Sequence, residues 1–159
     1  MTANDLERYM RMYYKSVYRT ALCRCKDPHD ADDAAQEVFF RLYTCGNTFN
    51  GDDHVKAWLL RCTVNLSTDI LRARSRTQDI PADTSAAVYY DDKDKEQGQV
   101  FELFLQLPEN NRTALYMHYC EGYHVEEIAE ITGVSKSAVL SRLKRGREQL
   151  KKLIERRER

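Results

Sequence analysis

Apolar residues recur at helical spacing along most of this chain, which reads as all-α. Leu6, Met10, Tyr13, Val17 and Ala21 form one stripe and predict a first helix over about 4–25. Asn4 is its expected cap, and Asp5 and Glu7 suit the positive end of its dipole. Asp27-Pro28 restarts the chain, aspartate as cap and proline in the first turn. A second helix then runs to about Thr44 on Ala31, Ala34, Ala35, Val38 and Leu42. Its polar side, Asp30, Asp32, Asp33, Gln36, Glu37 and Arg41, is mostly acidic. Phe39 and Phe40 are adjacent, so unless the core face is wide one of them lies outside it. An exposed aromatic beside carboxylates suggests a partner surface. Residues 45–53 carry loop chemistry. A third helix over about 53–76 takes Val55, Trp58, Leu59, Cys62, Leu66 and Ile70 as its stripe. Arg61, Asn65, Asp69, Arg72, Arg74 and Arg76 are expected on or near the opposite side.

Residues 77–95 carry no stripe and read as an acidic linker. The helical pattern returns at Glu96 with Val100, Phe101, Leu103, Phe104, Leu105 and Leu107, and stops at Pro108. Asn110 or Asn111 then starts a helix to about Cys120 that buries Ala114, Leu115, Met117 and Tyr119. From Gly122 to Arg147 two helices follow, joined by a tight turn. The first carries Val125, Ile128, Ala129 and Ile131 on one face; Thr132-Gly133 ends it, because glycine accepts a left-handed backbone. Ser135 caps the second, which buries Ala138, Val139, Leu143 and Leu150. Its other face shows Lys136, Ser137, Ser141, Arg142, Lys144, Arg145 and Arg147. Turn glycine, serine cap and a one-sided basic face together are the layout of a DNA-binding helix-turn-helix.

Charge sharpens this picture once it is placed along the chain. The 159 residues carry 25 basic and 25 acidic side chains, a formal net of zero. Residues 57–76 nevertheless hold 4 basic and 1 acidic group, and residues 110–159 hold 11 and 7. Between them, residues 77–109 hold 2 basic and 8 acidic groups. Two basic segments flank an acidic one, and local sign governs phosphate attraction more than the sum does. No apolar run approaches a membrane span, and the N-terminus is no secretion signal, so a cytoplasmic protein without membrane insertion is expected. Five cysteines without secretory context argue against a disulfide framework. His118, Cys120 and His124 lie close in sequence but form no complete metal-ligand set. No nucleophile triad or Gly-rich phosphate loop appears, so neither catalytic residues, a cofactor nor a small-molecule substrate is expected.

Three blocks, taken in order, resemble a bacterial sigma factor of the small extracytoplasmic-function group of the sigma-70 family. The first is Asp30-Ala31-Asp32-Asp33-Ala34-Ala35-Gln36-Glu37-Val38-Phe39-Phe40-Arg41-Leu42-Tyr43. The second is Trp58-Leu59-Leu60-Arg61-Cys62-Thr63-Val64-Asn65 with the arginine-rich tail behind it. The third is Leu107-Pro108-Glu109-Asn110-Asn111-Arg112, running on through the helix-turn-helix to Arg147.

The resemblance implies a region-2-like domain over 1–76, a linker over 77–95 and a region-4-like domain over 96–159. It implies that Asp33, Gln36, Glu37 and Phe40 dock on core RNA polymerase. Arg61, Asn65, Arg72, Arg74 and Arg76 would melt and read the −10 promoter element, and the loop Asn47, Thr48, Phe49 and Asn50 would hold a base turned out of the stack. Arg112, Lys136, Ser137, Ser141, Arg142, Lys144 and Arg145 would contact the −35 element as duplex. An anti-sigma factor is a further partner implied by the family. The chain departs from the pattern at Leu140, where a basic residue is common, at Ala138, where threonine is frequent, and at His124, which replaces a serine or threonine cap at a cost of about 1 kcal/mol. A polymerase-independent helix-turn-helix regulator, whose N-terminal half dimerises or senses a signal, is the competing reading.

Overall fold

The computed structural model describes residues 1–77 and 95–158. Among them are seven helices and no strand. The chain divides into two compact units, Met1–Ala82 and Asp83–Arg159. The expected linker falls almost wholly on residues 78–94, outside the described residues; Thr77 still belongs to a helix, and the helical path resumes at Lys95.

The first unit contains α1 (Ala3–Cys25), α2 (Pro28–Thr44) and α3 (Asp52–Thr77), each packed on the other two. Helix α1 starts earlier than the Asn4 cap predicts. Thr2 caps it, its hydroxyl accepting from the Asp5 N–H while the Asp5 carboxylate accepts from the Thr2 N–H, each at 3.1 Å. This reciprocal pair satisfies two of the orphan donors at the helix start. Lys26 ends α1 in a left-handed conformation, φ 58°, and its N–H closes on the Leu22 carbonyl. That bend places Asp27 to cap α2: its carboxylate accepts from the N–H groups of His29 and Asp30, and Pro28 opens the helix. Alanines at 21, 31, 34 and 35 are fully buried and leave room for close helix approach. Val17, Leu22, Val38, Phe39, Leu42, Val55, Leu59, Leu60 and Val64 fill the space between the helices.

Two expectations for this unit need correction. Met10 is 38% exposed, since the stripe of α1 turns inward only from Tyr13. Helix α3 is rotated relative to the predicted stripe: Trp58, Cys62, Leu66 and Ile70 are half-buried, whereas Leu60, Thr63, Val64 and Ser67 are buried. Thr63 satisfies its hydroxyl within the helix by donating to the Leu59 carbonyl at 2.7 Å, so a polar residue sits in the core at little cost.

The second unit contains α4 (Lys95–Leu105), α5 (Glu109–Tyr119), α6 (Val125–Thr132) and α7 (Lys136–Arg157). Phe101, Phe104, Leu107, Leu115, Tyr116, Met117, Ile128, Ile131, Val139 and Leu143 form its core. Helix α5 begins at Glu109, not at an asparagine; Asn111 is instead buried and donates to the Gln149 side chain of α7 at 3.0 Å. Gly146 lets α7 approach α5: a Cβ there would stand 2.8 Å from a Leu115 methyl. Val100 and Tyr119, expected inside, are exposed. Tyr119 lies at the end of α5, where its hydroxyl accepts from Arg147 Nε at 2.7 Å. Ala138 and Leu150 are half-buried, flanking the core rather than filling it.

Candidate nucleic-acid interface

In the helix-turn-helix, Gly133 takes φ 71° and its N–H closes on the Ala129 carbonyl, so the chain leaves α6 sharply. The Ser135 hydroxyl accepts from the Ala138 N–H at 3.1 Å and caps α7. His124 contributes no side-chain cap to α6, but its own N–H donates to the Glu127 carboxylate at 3.0 Å. Half of a capping box thus remains, which offsets part of the expected loss. On α7 the exposed residues Lys136, Ser137, Leu140, Ser141, Lys144 and Arg145 lie outward from buried Val139, Leu143 and Gly146. Lys136 is ion-paired with Glu126 of α6 at 2.8 Å, and this lysine first of all draws the Glu126 carboxyl below its usual range. Arg142 is half-buried on the flank of the helix and already engaged.

Arg112, expected at the DNA, is not on the surface. It is 6% exposed and donates to the Leu107 carbonyl at 2.9 Å. That bond ties α5 to the turn after α4, so Arg112 is part of the frame. Its position directly after the Pro108 turn is the reason: the first turn of α5 faces inward, with Asn111, Thr113 and Ala114 buried beside it.

On α3, Arg61, Asn65, Arg72 and Arg76 are exposed. At 3.6 residues per turn they fall on one side of the helix, and half-buried Trp58 lies on the same side. Trp58 meets the preceding loop: its ring and that of Phe49 pack edge to face with centroids 5.7 Å apart. His54 packs on Phe49 as well and accepts from the Asn50 N–H at 2.9 Å. Phe49 therefore pins the loop to α3, leaving Asn47, Thr48 and Asn50 exposed.

Arg74 departs from the expectation: it points to the opposite side of α3. Its guanidinium donates to Asp27 Oδ2 at 2.8 Å and ion-pairs with Asp30. The three side chains are 19%, 12% and 23% exposed. The hydrogen bond to Asp27 raises the Arg74 pKa further above its ordinary value. Burial works against ionising Asp27, but the bonds from Arg74 and from the Asp30 and His29 N–H groups prevail and hold that carboxyl low. Burial, with repulsion from Asp27 and Asp33, pushes Asp30 up. This clamp fastens the C-terminal half of α3 to the α1–α2 junction. Arg24, also buried, adds a bond from its guanidinium to the Thr68 hydroxyl at 2.7 Å. Sequence reading overlooked both arginines as structural; the signal was that Arg74 shares the helix side of Thr63 and Ser67.

On α2, Asp33, Gln36, Glu37 and Phe40 are all exposed at i, i+3, i+4 and i+7 spacing, hence on one face. Gln36 donates to Asp32 at 2.9 Å, and Glu37 pairs with Arg41 at 3.0 Å. Of the adjacent phenylalanines, Phe39 is buried and Phe40 is 62% exposed. Tyr43, three residues on, is exposed too and extends the aromatic part of the face, which the sequence reading did not pick out.

No group of three His, Cys, Asp or Glu among the described residues is placed to hold a metal. His118 bonds the Tyr123 carbonyl at 2.9 Å. No described helix is long and apolar enough to cross a membrane.

Two helical units, the second built on a helix-turn-helix with a cationic outward face, define a bipartite DNA-binding protein. Residues 9–77 match the family model described as Sigma-70 region 2, and residues 97–150 match Sigma-70, region 4. The chain is 30% identical to the ECF RNA polymerase sigma factor SigM of Bacillus subtilis, over 95% of this chain and 96% of that protein. It is 30% identical to the RNA polymerase sigma-H factor of Pseudomonas aeruginosa, over 81% and 75% of the two chains. The crystallised sigma factor RpoE of Bartonella quintana, solved with the anti-sigma factor NepR, shares the fold at 20% identity and a TM-score of 0.77, covering 96% of this chain and 98% of that one. The chain belongs to the sigma-70 family, in its extracytoplasmic-function group: it is a sigma factor that binds core RNA polymerase and directs promoter-specific transcription initiation.

Proposed function

We propose that the two units divide the work of initiation. Residues 1–76 form the region that docks on core polymerase and reads and melts the −10 element; residues 96–159 read the −35 element as duplex; 77–95 connect them. The observation that carries this division is that each unit has a cationic helix face of its own, on α3 and on α7, while α2 alone presents an acidic, aromatic one. Asp33, Gln36, Glu37 and Phe40 dock on the polymerase. Arg61, Asn65, Arg72 and Arg76 hold the melted strand, and Asn47, Thr48 and Asn50 rim a site for an unstacked base beside Phe49. Lys136, Ser137, Ser141, Lys144 and Arg145 meet the −35 duplex, Lys136 exchanging Glu126 for phosphate. The protein acts in the cytoplasm and performs no catalysis of its own. Its activity is held in check by an anti-sigma factor, a reading supported by the likeness to a sigma factor crystallised with one.

Salt dependence of promoter binding by the reconstituted holoenzyme tests the division. Lys144→Ala and Arg145→Ala are each expected to weaken promoter binding and reduce the slope of log K against log salt by about 1, the signature of one lost phosphate contact. Affinity for core polymerase stays unchanged. Equal loss of both affinities sinks the division of labour.

A further inference from the structure

Leu140 stands in the second turn of α7 and is 51% exposed. The helix has no need of it there: Val139 and Leu143 on either side supply the core contact and are buried. Lys136 and Ser137 one turn before it, Ser141 beside it and Lys144 one turn after it are all exposed. A single apolar side chain thus sits inside a rim of cations and hydroxyls, near the start of the helix that a helix-turn-helix presents to base edges. Leucine offers phosphate nothing and cannot hydrogen-bond a base. The one apolar group that base pairs show in the major groove is the thymine C5-methyl.

We propose that Leu140 is a specificity-determining residue that selects thymine within the upstream promoter element by packing on its methyl group. The proposal rests on the assignment of α7 to that element. The surrounding lysines suit the phosphates on either side of the groove, and the serines accept or donate to either neighbouring base.

Thymine and uracil differ only in the methyl, which gives a direct test. Duplexes randomised over the upstream element are selected with full-length protein in holoenzyme, and each thymine of the recovered element is then replaced singly by deoxyuridine. One replacement is expected to weaken wild-type binding about fourfold, the effect of withdrawing one buried methyl-sized group. Leu140→Ala is expected to bind the thymine and uracil duplexes equally, and Leu140→Lys to recover guanine at that position, through its acceptors O6 and N7. Leu140 is exposed, so unchanged melting temperatures of both variants keep the comparison one of contact. If uracil weakens wild type and Leu140→Ala alike, or no thymine in a bound element is sensitive, the methyl contact is overturned while the assignment of α7 survives. If Leu140→Ala leaves the sequence of the recovered upstream element unchanged and Lys144→Ala leaves the holoenzyme's affinity for that element unchanged, the contact and the assignment fail together.

Discussion

Arg74→Ala is expected to cost the first unit about 3 kcal/mol at neutral pH, the low end for removing one partner from a largely buried ion pair. The reason lies in what stays behind. Asp27 and Asp30 would face each other at 12% and 23% exposure with their cation gone. Asp27 also caps α2, so the start of that helix weakens with the clamp. Domains are stable by about 5–15 kcal/mol, so a loss of this size is a large fraction of the whole. The pH dependence has a definite sign. Asp27 is held below its usual range, so its contribution is present above that range and fades as the pH falls through its folded value. Asp30 is held above its usual range and acts oppositely: it favours the fold at low pH and loses that contribution as the pH rises. Removing Arg74 therefore costs less at acid pH, where protonation relieves the repulsion. Urea unfolding of wild type and variant at neutral and mildly acid pH measures both effects. A loss below about 1 kcal/mol, independent of pH, would mean that the clamp behaves like an exposed pair. The functional consequence is secondary: Arg72 and Arg76 project from the half of α3 that this clamp holds.

Phe40→Ala is expected to weaken core polymerase binding about 30-fold without changing stability. An aromatic ring 62% exposed on an acidic face gains little from folding but suits a desolvated interface, where such anchors carry about 2 kcal/mol or more. Asp33→Arg on the same face is expected to lose at least tenfold by setting like charges together. Both side chains are exposed, so thermal melting should shift within the small range of surface substitutions. Titration of core polymerase with labelled protein reads the affinity. Retained affinity in both variants would remove α2 from the docking surface.

Much of the fold was legible from periodicity and end signals. Asp27-Pro28, Gly133 and Ser135 mark helix ends by their own chemistry, and the helices begin and stop beside them. For Phe40, Lys144 and Arg145 the surface placement was legible, each lying outward from its helix's buried face. It was not legible where an arginine serves the frame. Arg74 sits in a basic run and Arg112 beside a turn, and nothing local distinguishes a guanidinium that meets solvent from one that meets Asp27 or the Leu107 carbonyl. Those partners lie 47 and 5 residues away, and only the first is long-range; the second depends on how the turn folds back. The rotation of α3 was missed for a related reason. Thr63 and Ser67 count as polar in a stripe, yet both are buried in the core.

Run-off transcription tests the central claim most directly. Core polymerase is given a library of promoter fragments with and without this protein, and the start sites are sequenced. The account predicts protein-dependent starts that share two upstream elements at fixed spacing, lost with Asp33→Arg and weakened with Lys144→Ala. No stimulation of core polymerase, together with tight duplex binding by the protein alone, would contradict it.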